Sequence, residues 1–186
     1  MNLPNKLTVF RIIMIPFCIA AMLIETLPHH FIIALVLFIA AFVTDTLDGK
    51  IARKYNLITD FGKMMDPLAD KMLTISVLIC FLDLKVAPCI AVVLIIMREL
   101  IVTSLRMIAL EKGMVIAADI FGKIKTVYQS VALSVMLFLC ELSTFPSIAD
   151  KIPISLITNI LMWIMATITV LSGANYLIKN RGIIIQ

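Results

Sequence analysis

Charge is scarce in this sequence: only 15% of its 186 residues are Asp, Glu, Lys or Arg, while 62% are hydrophobic. A soluble globule carries roughly 25% charge, so a chain this apolar has too little polar surface to fold in water. No stretch alternates apolar and polar residues as a half-buried strand does, and no segment repeats. Cysteines are few and isolated. Cys18, Cys80, Cys89 and Cys140 show no CxxC spacing and no nearby histidine, which excludes a zinc site and reads as packing. The net charge of +4 comes without a basic patch interleaved with aromatics, so nucleic acid is excluded as a partner.

What the chain has instead is long apolar runs. Breaks at charged or proline-bearing segments divide them into six spans, at about 7–25, 31–52, 62–82, 88–110, 124–142 and 153–178. This predicts an all-α integral membrane protein, one domain over residues 1–186, with a bundle of six transmembrane helices. Lys6 and Arg11 flank the first run and no small-x-small cleavage site follows it, so it reads as a retained span. The opening NLPNKLTVFR fits either a short interfacial helix or the snorkelling start of span 1. Thirteen Lys and Arg residues fall in segments on the N-terminal side of the membrane, against Lys85 and Lys151 opposite. The positive-inside rule puts both termini in the cytoplasm, as expected for a multi-pass protein of the cell membrane.

Four aspartates stand out against this background. They lie in FVTDTLDGKIARKYNLITDFGKMMDPLAD, at the cytoplasmic ends of spans 2 and 3. On a helix Asp48 lies about 60° from Asp45, Gly49 about 40° to the other side, and Ala52 nearly beneath, so two carboxylates and two very small residues share a face. Gly62, Asp66 and Asp70, at i, i+4 and i+8, form a second stripe about 80° wide, provided that the helix starts near Asp60 or Gly62 and passes through Pro67. A carboxylate at the centre of a spanning helix costs roughly 2.5–3.5 kcal/mol, and facing acids repel. Divalent cations remove both penalties. Oxygen-only ligands suit Mg2+ or Mn2+ rather than zinc, and two ions sharing four carboxylates is the arrangement that clamps phosphoryl transfer.

The pattern Asp45-x2-Asp48-Gly49-x2-Ala52-Arg53-x8-Gly62-x3-Asp66-x3-Asp70 resembles the signature of the CDP-alcohol phosphotransferase family, with every defining position filled. The resemblance implies two Mg2+ or Mn2+ ions held by Asp45, Asp48, Asp66 and Asp70, with Asp70 also the general base. It implies a CDP-lipid site at Asp48, Gly49, Ala52, Arg53 and Gly62, and a polar cavity facing the cytoplasm. Homodimers are common in the family. LPNKLTVFR, DPLADKMLT, MRELIVTSLR and FGKIKT resemble members that join CDP-diacylglycerol to sn-glycerol 3-phosphate, giving phosphatidylglycerophosphate and CMP.

That acceptor carries a phosphate, and a second cationic group is available to bind it. Arg98 falls about 15 Å into span 4, where an arginine needs a strong reason. With Arg106 and Lys123 it is the expected acceptor-phosphate site. Lys125 ranks below them, and Glu99, about 100° from Arg98, reads as a poor partner. His29 and His30 fall in an outer loop. Cardiolipin, phosphatidylinositol phosphate or phosphatidylserine synthesis would use the same signature with another acceptor. A divalent-cation transporter would place its acids near the midplane, often in repeated broken helices. Here the acids cluster on one side, which favours the enzyme.

Overall fold

The computed structural model describes residues 3–54, 60–111 and 120–181, with the backbone alone at 3–6, 45–54, 60–64, 66–67, 110–111 and 148. Every regular element among them is a helix: α1 (Leu3–Leu23), α2 (His30–Lys54), α3 (Asp60–Asp83), α4 (Cys89–Glu111), α5 (Ile120–Ser143), α6 (Pro146–Ala149) and α7 (Ile154–Lys179). Six are long and α6 is a single turn. Unbroken apolar runs favour this outcome, because a helix satisfies its backbone within itself.

The opening residues do not form a separate interfacial helix. They are the first turns of one continuous helix, in which Pro4 occupies an end where its missing N–H costs nothing. Thr8 and Arg11 in this part of α1 are buried, turned inward instead of toward a membrane surface. α3 starts at Asp60 and runs through Pro67, and its 24 residues give a length of about 36 Å.

α1 packs on α2 and α3, and α7 on α4 and α5. The two groups join where α2 meets α5 and α3 meets α4. Small buried residues line the contacts around α1, among them Cys18, Ala21, Ala34, Ala41 and Ala69. Cys18 Sγ donates to the Ala34 carbonyl at 3.6 Å. Side chains this small let apolar helices approach backbone to backbone. On α5 several hydroxyls are satisfied along the helix: Thr126, Ser130 and Ser134 each donate to the carbonyl four residues earlier, at 3.0, 3.0 and 2.8 Å.

The outward surface is apolar. Phe17, Ile90, Val127, Leu171 and Ile178 are each more than 60% exposed, a distribution that water does not tolerate over a whole surface. By length and composition α5 and α7 are each able to cross a membrane, and Leu7–Leu23 and His30–Thr44 are shorter apolar helices. Sharp turns separate α1 from α2 and α3 from α4, with His29 and Lys85 in the left-handed region at φ 53° and 59°. The Lys85 turn closes on Phe81, whose carbonyl accepts from the amides of Val86 and Ala87 at 2.9 and 3.1 Å.

Candidate active site

The aspartate-bearing halves of α2 and α3 both lead into residues 55–59, so the chain's own connectivity brings the two acid stripes to one end of the bundle. The side chains of Asp45, Asp48, Gly49, Ala52, Arg53, Gly62 and Asp66 lie outside the described residues. Asp70 lies within them, on α3, with 29% of its side chain exposed. Its carboxylate Oδ2 is 3.3 Å from Lys71 Nζ. Among the described residues no group of three metal-ligating side chains occurs, and Asp70 is the one expected ligand that they include. A half-open carboxylate on the acid stripe fits a hard divalent cation, for which oxygen is the natural donor.

Beside Asp70 the structure assembles a buried ionic cluster that the sequence reading missed. Its centre is Glu99 on α4, 1% exposed. Lys71 Nζ from α3 contacts Glu99 Oε2, and Lys125 Nζ from α5 contacts Glu99 Oε1. Arg98 Nη1 lies 3.4 Å from that same Oε1. Glu99 is therefore a partner of Arg98 after all, because two long side chains can close a 100° separation that their Cα positions suggest is too wide. The two lysines at the start of α5 sit differently. Lys125 is 2% exposed and inside the cluster, whereas Lys123 is exposed. Residues at i and i+2 on a helix are about 200° apart, so only one of them can face inward. Arg106 is exposed as well, and it and Lys123 flank residues 112–119 from the two sides.

Arg98 crosses to α7, where Nη2 donates to Ser172 Oγ at 2.9 Å. Gly173 makes the crossing possible: a Cβ there would stand 2.7 Å from Arg98 Cγ, inside any tolerable contact. Thr169, Ser172, Gly173 and Tyr176 recur at i, i+3, i+4 and i+7 on the buried face of α7. Among the described residues Arg98 Nε, Gln129 Nε2, Thr169 Oγ1 and Tyr176 Oη are buried without a hydrogen-bond partner. Orphaned donors and acceptors on three adjoining helices mark a polar interior suited to a ligand.

A cavity of about 550 Å³ lies at the other end of the bundle, among Lys85, Pro88, Cys140, Ser143, Ser155 and Thr158. It is remote from Asp70 along α3 and is not the cavity expected around the aspartates. His29 Nδ1 is 2.7 Å from Glu141 Oε1 at that same end, and His30 Nδ1 is 3.2 Å from the Ala21 carbonyl. Both histidines are structural.

Among the described residues, Asp70 stands beside a cationic, partly unsatisfied interior. The chain belongs to the CDP-alcohol phosphatidyltransferase family, whose model matches residues 1–172, and it is accordingly a transferase. It is 39% identical to the CDP-diacylglycerol–glycerol-3-phosphate 3-phosphatidyltransferase of Bacillus subtilis, over 96% of this chain and 95% of that one. The protein of the same description from Rickettsia bellii is 40% identical, over 94% and 93% of the two chains. A probable phosphatidylglycerophosphate synthase of Mycobacterium tuberculosis is 36% identical over 96% and 81%.

Proposed function

We propose that this chain transfers the phosphatidyl group of CDP-diacylglycerol to sn-glycerol 3-phosphate, giving phosphatidylglycerophosphate and CMP. The observation that carries the choice of acceptor is the charge of the buried cluster. Among the described residues Arg98, Lys71 and Lys125 gather around Glu99, with Asp70 beside Lys71, so that cationic side chains outnumber carboxylates in a mostly buried place. Such a charge is costly alone and favours a small anionic acceptor. The near full-length likeness to relatives named for this reaction supports the same reading.

In this reading Asp45, Asp48, Asp66 and Asp70 hold two divalent cations, Mg2+ or Mn2+, which neutralise the pyrophosphate of the CDP-lipid when bound. Gly49, Ala52 and Gly62 leave room for the nucleotide, and Arg53 pairs with its phosphates. Arg98, with Lys125, receives the acceptor phosphate, while Arg106 and Lys123 attract it from the bundle end. Asp70 takes the proton of the acceptor hydroxyl as its oxygen bonds to the phosphatidyl phosphorus. The bond from that phosphorus to the bridging oxygen breaks, and CMP departs with the electron pair. Positioning and charge neutralisation carry most of a phosphoryl transfer, and these residue types supply both.

The six long helices are read as six spans of one domain, residues 1–186, in the cell membrane. The aspartate end faces the cytoplasm, a lateral opening admits the lipid tails, and two copies form a homodimer. The exposed apolar surface and the thirteen-to-two division of Lys and Arg support this placement.

The test is a product assay on detergent-purified protein with CDP-diacylglycerol and Mg2+ or Mn2+, offering glycerol 3-phosphate, phosphatidylglycerol, inositol phosphate and serine separately. The expected result is phosphatidylglycerophosphate and CMP with glycerol 3-phosphate alone, lost on chelation. Product with another acceptor would move the chain elsewhere in its family.

A further inference from the structure

The cavity at the end of the bundle away from Asp70 has the chemistry of an anion site. Its volume is about 550 Å³, and it opens where the α3–α4 turn, the end of α5 and the start of α7 come together. Lys85, Ser143, Ser155, Thr158 and Asn159 line it, and none of the described lining residues is acidic. Lys85 is exposed and forms no ion pair among the described residues. Ser143 Oγ and Thr158 Oγ1 donate to the Cys140 and Ser155 carbonyls at 2.6 and 3.1 Å, which leaves both oxygens able to accept. Lys85 also stands at φ 59°, just past the end of α3, where glycine or asparagine is the ordinary residue. A lysine in that backbone is strained, so the turn alone does not account for its side chain.

A cation beside hydroxyls and an amide suits a phosphate that carries a polyol, whereas the ammonium of an ethanolamine or choline headgroup would meet no carboxylate here. The rim is apolar. Leu156 lines the cavity and is 58% exposed, and Ile90 and Ile160, each within two residues of a lining position, are 66% and 49% exposed. We propose that this cavity binds the headgroup of an anionic phospholipid. Lys85 and the Asn159 amide take the phosphate, Ser143, Ser155 and Thr158 take the hydroxyls of the headgroup, and the acyl chains run along Leu156, Ile90 and Ile160. In the six-span placement proposed above, the cavity lies at the level of the outer leaflet, so the lipid is a ligand of the fold and not a substrate. Bound there, it ties the α3–α4 turn to α5 and α7 and stabilises the folded chain.

The test compares thermal unfolding of the full chain in lipid discs of phosphatidylcholine and in mixed phosphatidylcholine–phosphatidylglycerol discs. The mixed discs are expected to raise the Tm by about 3 °C or more. Lys85→Gln and Lys85→Gly lose most of that rise, and Lys85→Arg keeps it. Lys151→Gln, which removes a cation that does not line the cavity, keeps it too. In phosphatidylcholine discs Lys85→Gly unfolds at or above the parent temperature, because glycine relieves the left-handed backbone. There the Lys85 variants also keep kcat and both KM values near those of the parent protein, which separates this site from lipid binding at the Asp70 end. A rise that survives Lys85→Gln, or that Lys151→Gln removes equally, reports general surface charge and overturns the proposal. So does an equal loss of Tm in both kinds of disc, which would make Lys85 structural. Inorganic phosphate in phosphatidylcholine discs is expected to give no comparable rise; a rise with phosphate that Lys85→Gln abolishes would make the cavity a site for a soluble anion and overturn the lipid assignment. The discs expose both leaflets, so the result does not depend on orientation, and its failure leaves the proposed reaction standing.

Discussion

Among the described residues two glutamates, Glu99 and Glu141, are buried, and their surroundings differ. Glu99 is met by cations from α3, α4 and α5, all largely withdrawn from solvent. Glu141, near the end of α5, is met at Oε1 by one histidine whose side chain is 66% exposed. Both acids cost desolvation energy, but Glu99 shares a partner, Lys71, with Asp70. Glu141 fastens the α1–α2 turn to α5, with the His29 ring also 6.2 Å from that of Phe145. A buried carboxylate therefore says little about function until its partners are known. At the Asp70 end cationic side chains from three helices converge and polar atoms on α4, α5 and α7 lack hydrogen-bond partners, whereas at the His29 end the unpartnered atom is Glu141 Oε2. At the His29 end a single pair closes a turn.

The sharpest way to break this comparison is at Asp70. Asp70→Asn is expected to lower kcat by roughly 10²- to 10⁴-fold, the usual contribution of a general base, while CDP-diacylglycerol binding is largely kept. Loss of binding in step with turnover would make Asp70 a ligand-holding residue only. Arg98→Ala comes next. It removes the contact to Ser172 and one cation of the cluster, and KM for glycerol 3-phosphate should rise roughly tenfold or more with little change for the CDP-lipid. An effect on the CDP-lipid alone would assign Arg98 to the other substrate.

Gly173→Ala tests the same side chain with one methyl group. The added carbon would meet Arg98 Cγ at 2.7 Å, near the root of the side chain, where swinging the guanidinium away gives little relief. Arg98 must move as a whole, or α4 and α7 must part. The expected outcome is a rise of about threefold to tenfold in KM for glycerol 3-phosphate, measured beside an unchanged KM for CDP-diacylglycerol. Equal losses for both substrates would mean that the helices separate rather than that one side chain shifts.

The helices were legible in the sequence because run length alone decides them. The spans expected at 31–52, 62–82 and 88–110 correspond to α2 at His30–Lys54, α3 at Asp60–Asp83 and α4 at Cys89–Glu111. The single turn α6 was not read, being too short to leave a periodic signal. Arg98 was found from its depth in an apolar run, which is a one-dimensional property. Glu99, Lys71, Lys125 and Gly173 acquire their roles from helices that meet in space, and spacing along one helix holds no record of that. The available signal was that Lys71, Glu99 and Lys125, charges of both signs, fall within long helices rather than in the loops between them, a pattern that invites pairing. The angular rule that set Glu99 aside compares Cα directions, and it fails for the longest side chains.

The smallest effect belongs to His29, and it sharpens the comparison from the other side. His29→Ala removes the partner of Glu141 Oε1 and the ring against Phe145, in a turn where position 29 holds φ 53°. Losing one hydrogen bond to a charged acceptor costs about 1.5–3 kcal/mol, less where water can replace the donor, as the exposure of His29 permits. Alanine also tolerates the left-handed backbone poorly, so part of the loss is conformational, and His29→Asn, which suits that region, should lose less. A thermal-denaturation series in detergent should therefore rank the parent protein first, His29→Asn next and His29→Ala last, within a few degrees. Both KM values and kcat should stay near those of the parent protein. If His29→Ala changed the acceptor KM as Gly173→Ala is expected to, the two ends of the bundle would be coupled, and Glu141 would belong with Glu99 rather than stand in contrast to it.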